Sequence, residues 1–238
     1  MNDWSWKDPV QGSLSLRYEP GNWGDILKGE WLCHWLNWFR AQGNQQLRYR
    51  DPFCGGGDYP LSEATSRRLK QSPVPLYRAC CQDGRLPSSA TLVKREAERL
   101  GMQVSAHCSD SESNPLADLQ GSDLLLFDPY DFFERWPEWT QALLDLGPEQ
   151  NLVIYLYNKS PRGSSQFRHY QLLTERWSER NYLLGRLPAD ARLARAYHEV
   201  WMCGPCARDP QLAQGLRRLT LELHHSMAES GIWESHQP

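Results

Sequence analysis

The sequence predicts a single-domain α/β protein with a mainly parallel sheet, and three observations carry that prediction. Short apolar runs alternate with helical segments along most of the chain, the pattern of strand–helix–strand crossover units. The 238 residues are 40% hydrophobic, enough for one large domain with its own core. The last two apolar runs are joined only by the segment from Pro188 to Ala196, which suits a hairpin rather than a crossover.

Taken in order, the first 17 residues read as an arm with Trp4 and Trp6 as anchors, ahead of one domain over 18–238. A helix is predicted over Trp23–Ala41, where Trp31, Trp35 and Trp38 recur at i, i+4 and i+7 and Gly43 and Asn44 stop it. Such a stripe is core packing rather than a ligand box. Seven strands follow, over Leu47–Asp51, Pro75–Gln82, Met102–Ser109, Asp123–Asp128, Asn151–Tyr157, Asn181–Leu187 and Tyr197–Cys203. The helices between and after them are Ser62–Gln71, Ser88–Gly101, Pro137–Leu146, Ser164–Arg180 and Pro210–Ser230. There is no internal repeat and no low-complexity segment.

Charged residues make up 23% of the chain and the formal net charge is -3, so no global basic field advertises nucleic acid. A local arginine patch would have to do that work. The N-terminus shows neither a basic start nor an apolar stretch, and no apolar run is long enough to cross a bilayer. The expectation is a soluble cytoplasmic protein with no membrane partner and no metal. The seven cysteines are odd in number and scattered through apolar text, as reduced buried thiols are.

Two segments bear the marks of a ligand site. Asp51-Pro52-Phe53-Cys54-Gly55-Gly56-Gly57-Asp58 follows a strand directly; its glycines let backbone amides approach a ligand, and its acid stands at the strand end. The spacing matches neither GxGxxG nor a P-loop. Leu124 to Tyr130 is an apolar strand that ends in Asp128, Pro129 and Tyr130, on the rim where open α/β sheets bind ligands. An acid standing there can bind polar ligand groups.

The first segment resembles the Asp-Pro-Phe-x-Gly-x-Gly loop of amino-methyltransferases, and the second is similar to their Asp-Pro-Pro-Tyr motif, with one proline missing. Tyr18 to Lys28, with Gly21, Asn22, Asp25, Leu27 and Lys28 coinciding, resembles the opening of the bacterial ribosomal RNA adenine-N6 methyltransferase family. The resemblance runs from about Tyr18 to Tyr157. It implies a class I, Rossmann-like three-layer fold whose seven-stranded sheet ends in an antiparallel hairpin. It implies S-adenosyl-L-methionine as cofactor, held by Asn22, Lys28, Asp51, Phe53, Gly55 and Gly57. Asp83, after the second strand, then receives the ribose hydroxyls, and a side chain at Asp110, after the third, meets the adenine. Asp128, Pro129 and Tyr130 (or Phe132 as the stacking face) become the catalytic set.

The chain also departs from the family. Gly29 and Phe53 stand where the family has histidines, Leu14 and Leu16 where it has a substrate-contacting Tyr and His, and Asp58 to Pro75 leaves no room for its helical insert. The expected activity is methyl transfer to an amine, on a nucleobase of RNA or DNA. A degenerate binding module and a small-molecule methyltransferase are the alternatives. Arg48, Arg50, Arg67, Arg68 and Lys70, with Arg162, Arg168, Arg186, Arg192 and Arg195, form the set from which phosphate contacts would come. Cys203-Gly204-Pro205-Cys206 has redox-motif spacing, but a thioredoxin fold needs strands that do not follow it, so a structural turn is expected.

Overall fold

A computed structural model describes residues 5–7, 15–17, 21–54, 59–71, 81, 84–108, 121–129, 135–158, 171–175, 181–188 and 197–229. Helix α1 spans Trp23–Ala41, as predicted. It starts there because Asn22 is extended and its side-chain oxygen accepts from the amides of Gly24 and Asp25 at 2.7 and 3.1 Å. It stops where Gly43 turns to φ +90°. Trp31 and Trp35 are buried, and the Trp31 indole N–H donates to Thr220 Oγ1 at 3.1 Å.

Strands β1 (Ser5–Lys7) and β2 (Ser15–Arg17) form a separate antiparallel ribbon. Then come β3 (Gln46–Asp51), β4 (Tyr59–Pro60), α2 (Glu63–Gln71), β5 (Arg85–Leu86) and α3 (Ser89–Arg99). The second half holds β6 (Gln103–Cys108), β7 (Leu124–Phe127), α4 (Trp136–Asp145), β8 (Leu152–Asn158), β9 (Tyr182–Pro188), β10 (Tyr197–Cys203) and α5 (Pro210–Glu229).

The main sheet runs β6-β3-β7-β8-β10-β9. β3 is parallel to β6 and β7, and β7 is parallel to β8. β10 is antiparallel to both β8 and β9, so the predicted terminal hairpin is present and its second arm lies inside the sheet.

Six strands form this sheet among the described residues, not the seven expected. The neighbour of β3 at this edge is β6, paired in register from Gln46↔Gln103 to Asp51↔Cys108. Of the expected strand Pro75–Gln82 only Cys81 is described, and it lies in no strand. A short apolar run does not reveal which sheet position it will take. The connection from β3 to β6 therefore holds α2, the β4–β5 ribbon and α3. α2 is the helix predicted over Ser62–Gln71, starting one residue later.

Alternation along the strands builds two cores. Tyr49, Leu124, Leu126, Val153, Val200 and Met202 pack toward α1, α3 and α5. Leu125, Phe127, Ile154, Leu156 and Trp201 pack toward Trp139 and Leu143 of α4 and toward Leu173. The result is a three-layer, Rossmann-like α/β architecture. Among the described residues no helix is long and apolar enough to cross a membrane.

Candidate functional site

The same alternation lines up four polar side chains at one end of the sheet. Asp51 lies two residues beyond Tyr49, Asp128 two beyond Leu126, Tyr155 two beyond Val153, and His198 two before Val200. All four therefore project on the α1 face, across the adjacent strands β3, β7, β8 and β10. β10 contributes its first residues to this rim because it runs the opposite way.

Helix α1 faces them with Asp25 and Lys28, one turn apart. The Lys28 ammonium donates to Asp128 Oδ2 at 2.5 Å and to Asp25 Oδ1 at 3.3 Å. It also sits 5.0 Å from the centre of the Tyr155 ring. Asp25 Oδ2 accepts from the Gly21 amide at 2.9 Å, so the first turn of α1 holds the carboxylate that in turn steadies Lys28.

Burial decides the protonation behaviour of this cluster. Asp51 has no exposed surface, and desolvation together with the nearby Asp128 raises its carboxyl to about 7. The Phe53 amide and the Tyr49 hydroxyl donate to it at 3.1 and 3.3 Å, and the Ser89 side chain adds a further hydrogen bond. Asp128 is raised to about 6, again chiefly by desolvation, with Lys28 pulling the other way. His198 is lowered to about 4 by burial and is neutral at pH 7. Burial also holds the Tyr155 phenol well above its ordinary value. The 2.8 Å contact between Tyr155 Oη and His198 Nδ1 is then donation by the phenol, which leaves the imidazole proton on Nε2.

A cleft opens on the β3 side of Asp128, between α1 and the start of α3. Its walls include Lys28, Phe53, Cys54, Ser88, Ser89 and Asp128. Ser88 caps α3 by accepting from the Thr91 amide at 3.3 Å, so the positive end of a helix borders the same space as the Asp25 and Asp128 carboxylates.

Of the predicted residues, the structure brings Lys28, Asp51, Phe53 and Asp128 together here. Pro129 is buried beside them. Asn22 serves as the α1 cap. Phe53 aims its ring at the opposite core, edge-on to Phe127 and Trp139 at 5.2 and 5.5 Å, while its amide braces Asp51. Gly55, Gly57, Asp83, Asp110, Tyr130 and Phe132 lie outside the described residues. Ser89, Tyr155 and His198 were not selected from the sequence, and Asp25 was matched only as a motif residue with no site role. Tyr155-x-Tyr157 at a strand end was the available signal for the first aromatic. Reversal of the last strand was the signal for His198.

Two arginines of the proposed phosphate set are committed elsewhere. Arg48 pairs with Asp123 before the start of β7, away from the rim. Arg186 binds Glu199 at 2.7 Å and lies over the Tyr197 ring. Arg68 donates to the Gly21 carbonyl at 3.3 Å, near α1. Arg162, Arg168, Arg192 and Arg195 lie outside the described residues. Cys203 and Cys206 are buried thiols at a 3₁₀ turn, and burial pushes Cys206 up to about 12, far from the thiolate a redox centre uses. Among the described residues no cluster of His, Cys, Asp or Glu is arranged to hold a metal ion.

No protein-family model and no curated protein sequence matches the chain. Among solved structures, a Legionella pneumophila protein of the DUF519 family superposes with a TM-score of 0.62 at 12% identity, covering 87% of this chain and 94% of that one. A cofactor-bound protein from MTB gives 0.34 at 14% identity over 76% and 85% of the two chains. The Synechocystis magnesium protoporphyrin IX methyltransferase with bound SAH gives 0.33 at 13% identity over the same shares. The last two scores are too low to carry weight. What the Legionella protein shares with this chain is the fold.

Proposed function

We propose that this protein is an S-adenosylmethionine-dependent methyltransferase acting on a conjugated amine of a nucleobase in RNA or DNA. The observation that carries the reading is the pair of acids, buried Asp51 and partly buried Asp128, on adjacent strand ends and on one face, flanking a cleft. The cofactor has a cationic sulfur, an ammonium and a carboxylate. Acids on the sheet side suit the first two charges, and the capped start of α3 suits the third. Lys28 is then a brace for Asp128 rather than a direct cofactor ligand. Asp110 stands two residues beyond β6, the strand beside β3, and so inherits the ribose contact first given to Asp83.

The cofactor supplies a methyl group on positively charged sulfur, which ends as a neutral thioether once the amine lone pair has taken that methyl. Asp128 and the Pro129 carbonyl accept the two amine hydrogens, keeping the lone pair out of the ring plane and aimed at the cleft. Lys28 occupies Oδ2 of Asp128, which leaves Oδ1 to face the amine. Methylation makes the nitrogen acidic, and its surplus proton passes to Asp128, whose raised value near 6 suits that transfer at neutral pH.

A second reading draws on the same contact. The 2.5 Å Lys28–Asp128 pair resembles a carboxylate retired from catalysis in a cofactor-binding module. Transfer of labelled methyl groups to RNA, DNA and small-molecule extracts, with the wild type and Asp128→Ala, separates the two. Label in nucleic acid that vanishes in Asp128→Ala supports the enzyme. Cofactor binding with no transfer to any fraction supports the module.

A further inference from the structure

Asp128 divides the rim into two halves. The cleft occupies the β3 side. For an attack in line with the bond that breaks, methyl donor and acceptor must lie on opposite sides of the carbon being transferred. The acceptor therefore belongs on the other half, over the ends of β8 and β10.

Three aromatic side chains stand there. The pairing Phe127↔Ile154 sets Asp128 level with Tyr155. Tyr157 lies two residues further out on the same face, directly opposite His198 across the β8–β10 ladder. The Tyr157 and His198 rings are 5.2 Å apart at 39°. The inner pair is fixed: Tyr155 donates to His198 Nδ1, and Gly24 of α1 presses on both atoms so closely that a Cβ would collide with them. Tyr157 is half-buried and His198 is 6% exposed. Nε2 of His198 has no protein partner among the described residues.

We infer that the acceptor is a planar heteroaromatic ring stacked on Tyr157, with His198 Nε2–H donating to the ring nitrogen beside its exocyclic amine. The inference rests on the methyltransferase reading and specifies its acceptor. An exocyclic amine next to a ring nitrogen offers two donors and one acceptor along one edge. Asp128 Oδ1 and the Pro129 carbonyl meet the donors, and a neutral imidazole N–H meets the acceptor. Strands lie about 4.8 Å apart, so the step from β7 across β8 to β10 spans roughly the width of such a ring. An aliphatic amine would use neither the aromatic wall nor the imidazole. It would also arrive protonated. Tyr157 thus supplies the stacking face that the sequence assigned to Tyr130, and His198 is a specificity-determining residue.

The test first measures cofactor binding to wild type, Tyr157→Phe, Tyr157→Leu, His198→Gln and His198→Leu by calorimetry. Methyl transfer is then followed to single-stranded oligonucleotides containing adenine and cytosine, and to spermidine. Base–aromatic stacking is worth about 1–3 kcal/mol, so Tyr157→Leu should raise KM for the oligonucleotide about tenfold, with kcat little changed. Tyr157→Phe should retain it. His198→Leu should lower kcat/KM by about tenfold or more, with partial rescue in His198→Gln, whose amide can donate from a similar place. Cofactor affinity should stay within about twofold throughout. A 1-deazaadenine probe should be as poor for wild type as adenine is for His198→Leu. Unchanged oligonucleotide kinetics in Tyr157→Leu and His198→Leu, or parallel losses of cofactor affinity, would overturn the inference. So would transfer to spermidine alone. Cofactor binding with no transfer to either probe overturns the acceptor assignment alone, whereas absence of cofactor binding removes the methyltransferase reading itself.

Discussion

Lys28 and Asp128 stand 100 residues apart in sequence and meet at 2.5 Å, joining the second turn of α1 to the end of β7. The ion pair does two things at once. It offsets part of the cost of desolvating Asp128, and it commits Oδ2 to the ammonium.

Replacing Lys28 by Met leaves Asp25 and Asp128 facing each other without the ammonium between them. Breaking a buried pair by removing one partner costs about 3–5 kcal/mol; Asp128 keeps 22% of its side-chain surface exposed, so the loss here should be about 2–3 kcal/mol. Denaturant titration should show a lower midpoint with an unchanged slope. An unchanged midpoint would mean that the pair contributes nothing net.

Gly24 tests the close approach of α1 to the rim. Ala is intrinsically the better helix residue by about 1 kcal/mol. Even so, Gly24→Ala should destabilise by about 1–3 kcal/mol, because the new methyl meets the Tyr155–His198 hydrogen bond. Thermal melts of the single variants and the Gly24→Ala/Tyr155→Phe double should reveal coupling between the two sites. Stabilisation by Gly24→Ala would refute the packing described here.

The buried acids make stability depend on pH. A carboxyl whose folded value is raised binds its proton more tightly in the folded chain. Its contribution is complete below about pH 4 and is lost as pH rises through the folded value, about 7 for Asp51. His198, lowered to about 4, acts in the opposite sense, its contribution being lost as pH falls from 6.5 toward 4. The comparison that isolates Asp51 is therefore wild type against Asp51→Asn. The variant's relative stability should improve steadily from pH 4 to pH 7 and then level off. A constant difference across that range would show that Asp51 is not the titrating group.

Cys206 should behave as an inert core thiol. Its raised value near 12 and 2% exposure predict slow reaction with thiol reagents in the native protein and fast reaction after unfolding. Cys206→Ala should leave cofactor binding intact. Loss of that binding would return the pair to a functional role.

The architecture was largely legible from alternation and spacing. Helix α1 and strand β10 fall on their predicted bounds because a capped Trp stripe and a hairpin-bounded apolar run are strong local signals. The strand order at one edge was not legible. Pro75–Gln82 carries the composition of a strand, but β6 takes the place beside β3 through pairing that no local pattern encodes. At the site, Asp51 and Asp128 announced themselves by standing at the ends of strands. The roles of Asp25, Ser89, Tyr155 and His198 depend on which elements meet in space, as where Tyr155 and His198 hydrogen-bond across 43 positions.

The acids at the ends of β3 and β7 border the proposed site for S-adenosylmethionine. Calorimetric titration of the wild type with the cofactor at pH 6 and pH 8 tests it most directly. Binding should be saturable and one-to-one, and should tighten at pH 8 as Asp51 and Asp128 ionise and attract the cationic sulfur. Stability should also rise by about 2.7 kcal/mol at 100 times the dissociation constant. No heat and no thermal shift at either pH, with the cofactor or with its demethylated product, would contradict the proposed site.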